Sequence, residues 1–197
     1  QTPLSETAVC NYLTQILDGL EAIHTAGIWH LDIKPANIMV DSHYVVKLID
    51  FGASKQQSTA GGATMSTGIS YTNGYAPSEQ MAQSYDEFGP WTDFYALGAT
   101  LFKLLTNQDP PYFTKILGDA TQDKHLALPM PNVSEEMKKL VVWMMQVNRL
   151  KRPQGVGEIM DCTPLYSEGT SFSVVVPLKA EENSTNYSEE QTIAIES

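Results

Sequence analysis

Apolar side chains at Val9, Leu13, Ile16, Leu20 and Ile23 recur in alternating steps of four and three, which puts all five on one helical face. Ser5 is the predicted N-cap, Leu4 and Val9 occupy the two staple positions around it, and Gly27 is the predicted stop. The period then changes. Ile38-Met39-Val40 and Val45-Val46-Lys47-Leu48-Ile49 are short apolar runs separated by the turn-like Asp41-Ser42-His43, a pattern that predicts a small hairpin. Residues 50–79 are rich in Gly, Ser and Thr and have almost no apolar period. A loop that long inside a compact domain is usually functional or disordered. Helices are predicted again over 91–105, which is apolar on nearly all sides and therefore buried, over 134–146, and over 155–160. The pattern is mainly α, and it contains no internal repeat.

Beyond residue 164 the chain changes character. Six acidic residues there face a single lysine, the rest is rich in Ser, Thr and Asn, and only Ser173-Val174-Val175-Val176 could make a strand. So little apolar surface cannot offset the entropy of ordering, so residues 165–197 read as an acidic tail or linker after a folded domain over 1–164. The whole chain of 197 residues, 42% hydrophobic and 18% charged, can bury a core, which excludes global disorder. No run approaches 18 apolar residues, so no membrane segment is expected in this chain. Gln1-Thr2-Pro3-Leu4-Ser5-Glu6 lacks an initiator Met and the features of a signal peptide, and the chain is expected to begin inside a longer protein. The net charge of −11 argues against binding nucleic acid or an anionic membrane through bulk charge. Cys10 and Cys162 are too few for a disulfide framework and lack metal-ligand spacing. Both read as buried small apolar residues in a reducing, cytoplasmic setting.

Candidate chemistry concentrates in residues 30–52. Asp32, Lys34 and Asn37 lie in the polar break between the first helix and the hairpin, and Asp50 ends the second strand before Phe51-Gly52. Any one of these alone would be an ordinary solvated turn residue. Two carboxylates, an amide and an ammonium gathered by one hairpin suit a divalent cation plus phosphate, because hard cations take oxygen ligands and lysine offers phosphate a compact charge.

These motifs resemble those of eukaryotic-like (Hanks-type) serine/threonine protein kinases. His30-Leu31-Asp32-Ile33-Lys34-Pro35-Ala36-Asn37 resembles the catalytic loop, and Asp50-Phe51-Gly52 resembles the metal-binding DFG segment. Gly74-Tyr75-Ala76-Pro77-Ser78-Glu79 is similar to the end of an activation segment. Asp93-Phe94-Tyr95-Ala96-Leu97-Gly98 is similar to the start of the buried central helix, and Lys151-Arg152-Pro153 resembles the late arginine that pairs with the activation-segment glutamate. The likeness covers about residues 4–162. It implies a protein-kinase-like fold, here its helical C-terminal lobe with a small β hairpin at the active site. It also implies ATP and Mg²⁺ as cofactors, ATP and a protein substrate carrying Ser or Thr as partners, and phosphoryl transfer as the reaction. By the same resemblance Asp32, Lys34, Asn37 and Thr72 are the catalytic positions. Lys34, Asn37, Asp50 and Gly52 are the cofactor-binding positions, and Asn37 and Asp50 are the metal ligands. Asp93 would anchor the catalytic-loop backbone, with His30 and Phe51 packed beneath the site.

Three departures qualify the resemblance. Leu31 stands where an arginine usually precedes the catalytic Asp, and it cannot pair with a phosphate on the loop. Ser78 stands where a proline usually precedes the glutamate, although Pro77 is adjacent. No Gly-rich loop or strand lysine precedes Gln1, and Gly61-Gly62 and Gly155-Val156-Gly157 come too late to cover a nucleotide. The N-terminal lobe is therefore expected to be missing, and this chain alone to be nearly inactive. Two other readings stay open: a pseudokinase or scaffold that binds partners through its helices, and small-molecule phosphotransfer on a kinase-like fold. The retention of Asp32, Asn37 and Asp50 weighs against the first, and Lys34 with the 72–79 segment weighs against the second.

Overall fold

Helix α1 (Glu6–Thr25) begins where Ser5 Oγ accepts the Ala8 N–H at 3.3 Å, and it buries Val9, Leu13, Ile16, Leu20 and Ile23. Gly27 follows its cap with φ +70, a left-handed conformation that glycine adopts without a Cβ penalty. The computed structural model describes residues 2–51, 55–56, 71–112, 129–162, 173–175 and 192–194. Strand β1 (Ile28–Trp29) comes next, then a single 3₁₀ turn over Pro35–Asn37. β2 (Ile38–Val40) and β3 (Val46–Leu48) form the expected antiparallel hairpin, with Ile38 opposite Leu48 and Val40 opposite Val46.

The stretch expected to be loop over 50–79 is not wholly irregular. β4 (Lys55–Gln56) pairs antiparallel with β1, and α2 (Ser78–Met81) begins at the end of the stretch. Two-residue strands leave no readable alternation, and a single helical turn is too short for a 3.6-residue period. Gly52, Gly61-Gly62 and the hydroxyl residues Ser58, Thr59, Thr64, Ser66, Thr67 and Ser70 lie outside the described residues.

Helix α3 (Pro90–Thr106) is buried along most of its length, including Phe94, Tyr95, Leu97, Leu101 and Phe102. It runs through the centre, in contact with α1 and with α4 (Glu135–Met144). Gly98 makes the second approach close: a Cβ there would lie 2.8 Å from Met144 Cβ and 2.9 Å from Met145 Cγ. α5 (Val156–Cys162) packs against α1 through the buried Val156 and Ile159. Cys10 is buried as expected, but Cys162, the last residue of α5, is exposed. In the acidic stretch the expected strand is β5 (Ser173–Val175). The structure adds β6 (Thr192–Ala194), which pairs antiparallel with it. Among the described residues no helix is long and apolar enough to cross a membrane.

Candidate active site

The hairpin that presents the site is clamped by a buried glutamine. Gln15, on the core side of α1, donates from Nε2 to the Tyr44 carbonyl at 3.1 Å and accepts the Val46 N–H at 3.0 Å. No period or motif in the sequence marked this buried polar side chain as having a fixed partner. At the other end of the hairpin the Ile49 N–H donates to the Asn37 carbonyl at 3.0 Å, extending the ladder one step beyond Ile38–Leu48. Asn37 and Asp50 therefore sit at the same mouth of the hairpin.

Asp32 is the centre of this polar group. Its Oδ1 accepts from Thr72 Oγ1 at 3.0 Å, and its Oδ2 accepts from Lys34 Nζ at 2.8 Å and from Asn37 Nδ2 at 2.9 Å. Lys34 Nζ also donates to Thr72 Oγ1 at 3.0 Å, so the hydroxyl takes one proton and gives one. Lys34, Asn37 and Thr72, up to forty residues from Asp32, thus all hydrogen-bond to its carboxylate. Asp32 and Lys34 keep 17% and 24% of their side chains exposed, enough for a reactant to reach them. Beside Asp32 a narrow surface cleft is walled by Ile33, Thr72, Tyr75, Ala76 and Gln80.

The backbone beneath is held by Asp93, on the first turn of α3. Its Oδ2 accepts the His30 N–H at 2.9 Å and its Oδ1 accepts the Leu31 N–H at 2.8 Å. His24 Nε2 donates to Oδ2 at 2.8 Å, a contact the hydrophobic pattern of α1 did not signal. Burial pushes the Asp93 carboxyl up, but the His24 hydrogen bond and charge, with His30 and the Leu31 N–H, outweigh it and hold the group below its ordinary value. Burial pushes the His30 imidazole down against the opposing pull of Asp93, the Ile49 carbonyl, Asp32 and Asp50. Its Nδ1 accepts the Asp32 N–H at 3.3 Å, as a neutral ring can, and its ring centroid lies 4.6 Å from that of Phe51.

A second polar centre ties the segment after Thr72 to the helical base. Glu79 on α2 is 3% exposed and Arg152 2%. Arg152 Nη1 donates to Glu79 Oε1 at 2.6 Å and to the Trp91 carbonyl at 3.2 Å. Its Nη2 donates to Glu79 Oε2 at 3.3 Å and to the Val147 carbonyl at 3.0 Å, and Nε donates to the Gln146 carbonyl at 2.6 Å. Thr92 Oγ1 adds a third donor to Glu79 at 3.2 Å. Gln80, the next residue, donates from Nε2 to the Leu31 carbonyl at 2.6 Å. Sequence reasoning passed over Gln80, since a polar residue on a one-turn helix carries no periodic signal.

The donor set suits a hard divalent cation. Asn37 spends both amide protons on Asp32, on the main-chain oxygen at 2.8 Å and on Oδ2, which leaves its Oδ1 as the oxygen for a metal. With the Asp50 carboxylate at the same mouth, the residues are all-oxygen ligands of the kind Mg²⁺ prefers.

Known proteins are similar to this chain in sequence and fold. The protein kinase domain model matches residues 1–163. Serine/threonine-protein kinase F of Synechocystis sp. is 46% identical over 108 residues, which is 54% of this chain and 21% of that protein. Serine/threonine-protein kinase B of the same organism is 32% identical over 185 residues, 87% of this chain and 30% of that protein. Mitogen-activated protein kinase kinase kinase ANP1 of Arabidopsis thaliana is 36% identical over 108 residues, 55% of this chain and 16% of that protein. This chain therefore spans less than a third of the length of each of these three relatives. The solved structure of PpkA-294 in its apo form superposes with a TM-score of 0.64 at 29% identity, covering 81% of this chain and 54% of that one. A family model spanning nearly all of the ordered pattern, laid over a site where an aspartate, a lysine, an asparagine and a threonine meet, leaves one assignment: the chain belongs to the protein kinase family, in its eukaryotic-like (Hanks-type) branch.

Proposed function

We propose that this chain carries the catalytic half of a serine/threonine protein kinase. Residues 1–164 form its helical C-terminal lobe, and 165–197 form an acidic tail. The reaction is ATP-dependent phosphoryl transfer to Ser or Thr of a cytoplasmic protein substrate, with no nucleic-acid partner. The supporting observation is the Asp32 carboxylate, whose two oxygens are fixed by Thr72, Lys34 and Asn37 while one edge stays open to the cleft. A carboxylate so held accepts the proton of a substrate hydroxyl and points that oxygen for in-line attack, and the ammonium of Lys34 offsets charge on the phosphoryl group. Asn37 and Asp50 would hold Mg²⁺, which neutralises phosphate charge when bound. Met39, 56% exposed on β2 directly after this mouth, offers an apolar surface for a nucleotide base.

The test uses the full natural chain that contains these residues, ATP, Mg²⁺ and a generic basic protein carrying Ser and Thr. Phosphate transfer should cease when Mg²⁺ is chelated. Asp32→Asn should cost on the order of 10²–10⁴ in turnover, the usual share of a positioned base, and Asp50→Ala should abolish it. Variants that keep full activity, or an unmodified chain that binds partners without transferring phosphate, would overturn this reading.

A further inference from the structure

Leu31 has φ +63, a left-handed backbone conformation that is strained for a branched apolar residue and persists only where neighbours hold it. Its N–H is held by Asp93 Oδ1 at 2.8 Å. The peptide that follows joins Leu31 to Asp32 and sets the direction in which the Asp32 side chain leaves the backbone. That peptide is gripped at both ends: its N–H meets His30 Nδ1 at 3.3 Å, and its carbonyl receives Gln80 Nε2 at 2.6 Å. Gln80 is 1% exposed. A buried carbonyl deprived of its donor is expensive, and a peptide free at one end turns to find another partner. Such a turn would carry the Asp32 carboxylate away from Thr72, Lys34 and Asn37.

We propose that Gln80 is a positioning residue for phosphoryl transfer, fixing the Leu31–Asp32 peptide so that the Asp32 carboxylate faces Thr72, Lys34 and the incoming hydroxyl. The proposal rests on the kinase reading of the site. Gln80 acts through the backbone and touches no reacting atom, so it governs the chemical step and leaves nucleotide affinity alone. It also links α2, and through Glu79 the helical base, to the one carboxylate that does the chemistry.

The experiment compares the full natural chain with its Gln80→Met and Gln80→Leu variants, which fill similar volume and remove the donor. Three quantities are read: kcat, KM for ATP, and backbone amide exchange at Asp32 against Leu97 as an internal standard in α3. The expected result is a fall in kcat of about tenfold, equivalent to about 1.4 kcal/mol. KM for ATP should stay within about twofold, and exchange at Asp32 should quicken by about tenfold while Leu97 is unchanged. Unaltered kcat with unaltered Asp32 exchange overturns the proposal. So does a joint loss of turnover and ATP binding, which would mark Gln80 as a fold residue. An unmodified chain without phosphate transfer overturns the kinase reading instead, and the exchange measurement then still decides whether Gln80 holds the peptide.

Discussion

Replacing Arg152 by alanine is the sharpest test of how this fold is held together. The guanidinium has five N–H donors and meets five acceptors, two on Glu79 and three main-chain carbonyls, while its Cζ lies 4.9 Å from the centre of the Tyr95 ring. Arg152→Ala deletes all of these at once. The three carbonyls can recruit water through the space left behind. Glu79 cannot be satisfied so easily: it is 3% exposed and, among the described residues, keeps the Thr92 and Ser78 hydroxyls as donors. Breaking one side of a buried pair costs about 3–5 kcal/mol, chiefly the penalty of the charge left behind. For a domain of this size 1 kcal/mol moves the melting temperature by about 2–4 °C, so the midpoint should fall by roughly 6–20 °C.

Differential scanning calorimetry of the natural chain and the variant gives the shift, and urea titration shows whether the slope, and so the denatured state, is unchanged. Glu79→Ala completes a double-mutant cycle. Because the two residues share one contact, the two losses should not add, and the coupling should reach at least about 1 kcal/mol. The pair Glu79→Leu with Arg152→Met removes both charges and should be less destabilised than Arg152→Ala alone. A shift under about 3 °C, or strict additivity in the cycle, would refute the claim that this ion pair secures α2 to the base.

Two further outcomes follow from the same geometry. Burial is the largest single influence on the Asp93 carboxyl and raises it, but His24, His30 and the Leu31 N–H together outweigh it and hold the group below its ordinary value, so its stabilisation is present above about pH 4 and fades as the pH falls further. Asp93→Asn should therefore flatten the acid limb of stability measured by urea midpoints from about pH 6 to pH 2, and identical limbs in the two proteins would refute it. Leu31 is 2% exposed against Phe88 and Trp29 and offers a loop phosphate no donor, so changing Ser58, Thr59, Thr64, Ser66, Thr67 and Ser70 together to Ala should alter initial rates by less than about threefold. A tenfold or larger loss would show that loop phosphorylation does order the site.

What could be read from the sequence divides along a physical line. Elements whose evidence is local and repeated were legible: the four-three spacing of α1, the paired apolar runs of β2 and β3, the buried run of α3. Asp32, Lys34, Asn37 and Thr72 were legible as a group through motif spacing, and they meet in space. Partners that are single side chains were not legible. Gln15, His24 and Gln80 act by one hydrogen bond or two each, to atoms 29, 69 and 49 residues away, and no period or motif marks such contacts. The β1–β4 pairing escaped for a related reason, since two residues supply too few positions to show alternation. Cys162 was misread because residue type predicts burial only on average, whereas its place at the end of α5 decides its exposure.

Helix α2 shows why the two polar centres should not be regarded as separate. Successive helical side chains leave the axis about 100° apart, so Glu79 and Gln80 reach different neighbours from a single turn. Glu79 meets Arg152 and Thr92 in the base, and Gln80 meets the carbonyl beside Asp32. A four-residue helix has too few internal hydrogen bonds to hold itself; its position is set by what its side chains grip. Loosening Arg152 must therefore loosen Gln80, and with it the strained Leu31 that carries Asp32. On the far side of that residue the clasp is apolar, since Leu31 packs with Phe88 and Trp29. Burial of this kind is not screened by salt and presents no charge for a phosphate to complete. The loop that carries Asp32 is thus held by Asp93 at its backbone, by an ion pair acting at a distance through α2, and by apolar packing at close range, and the Leu31 side chain itself offers a phosphate no donor.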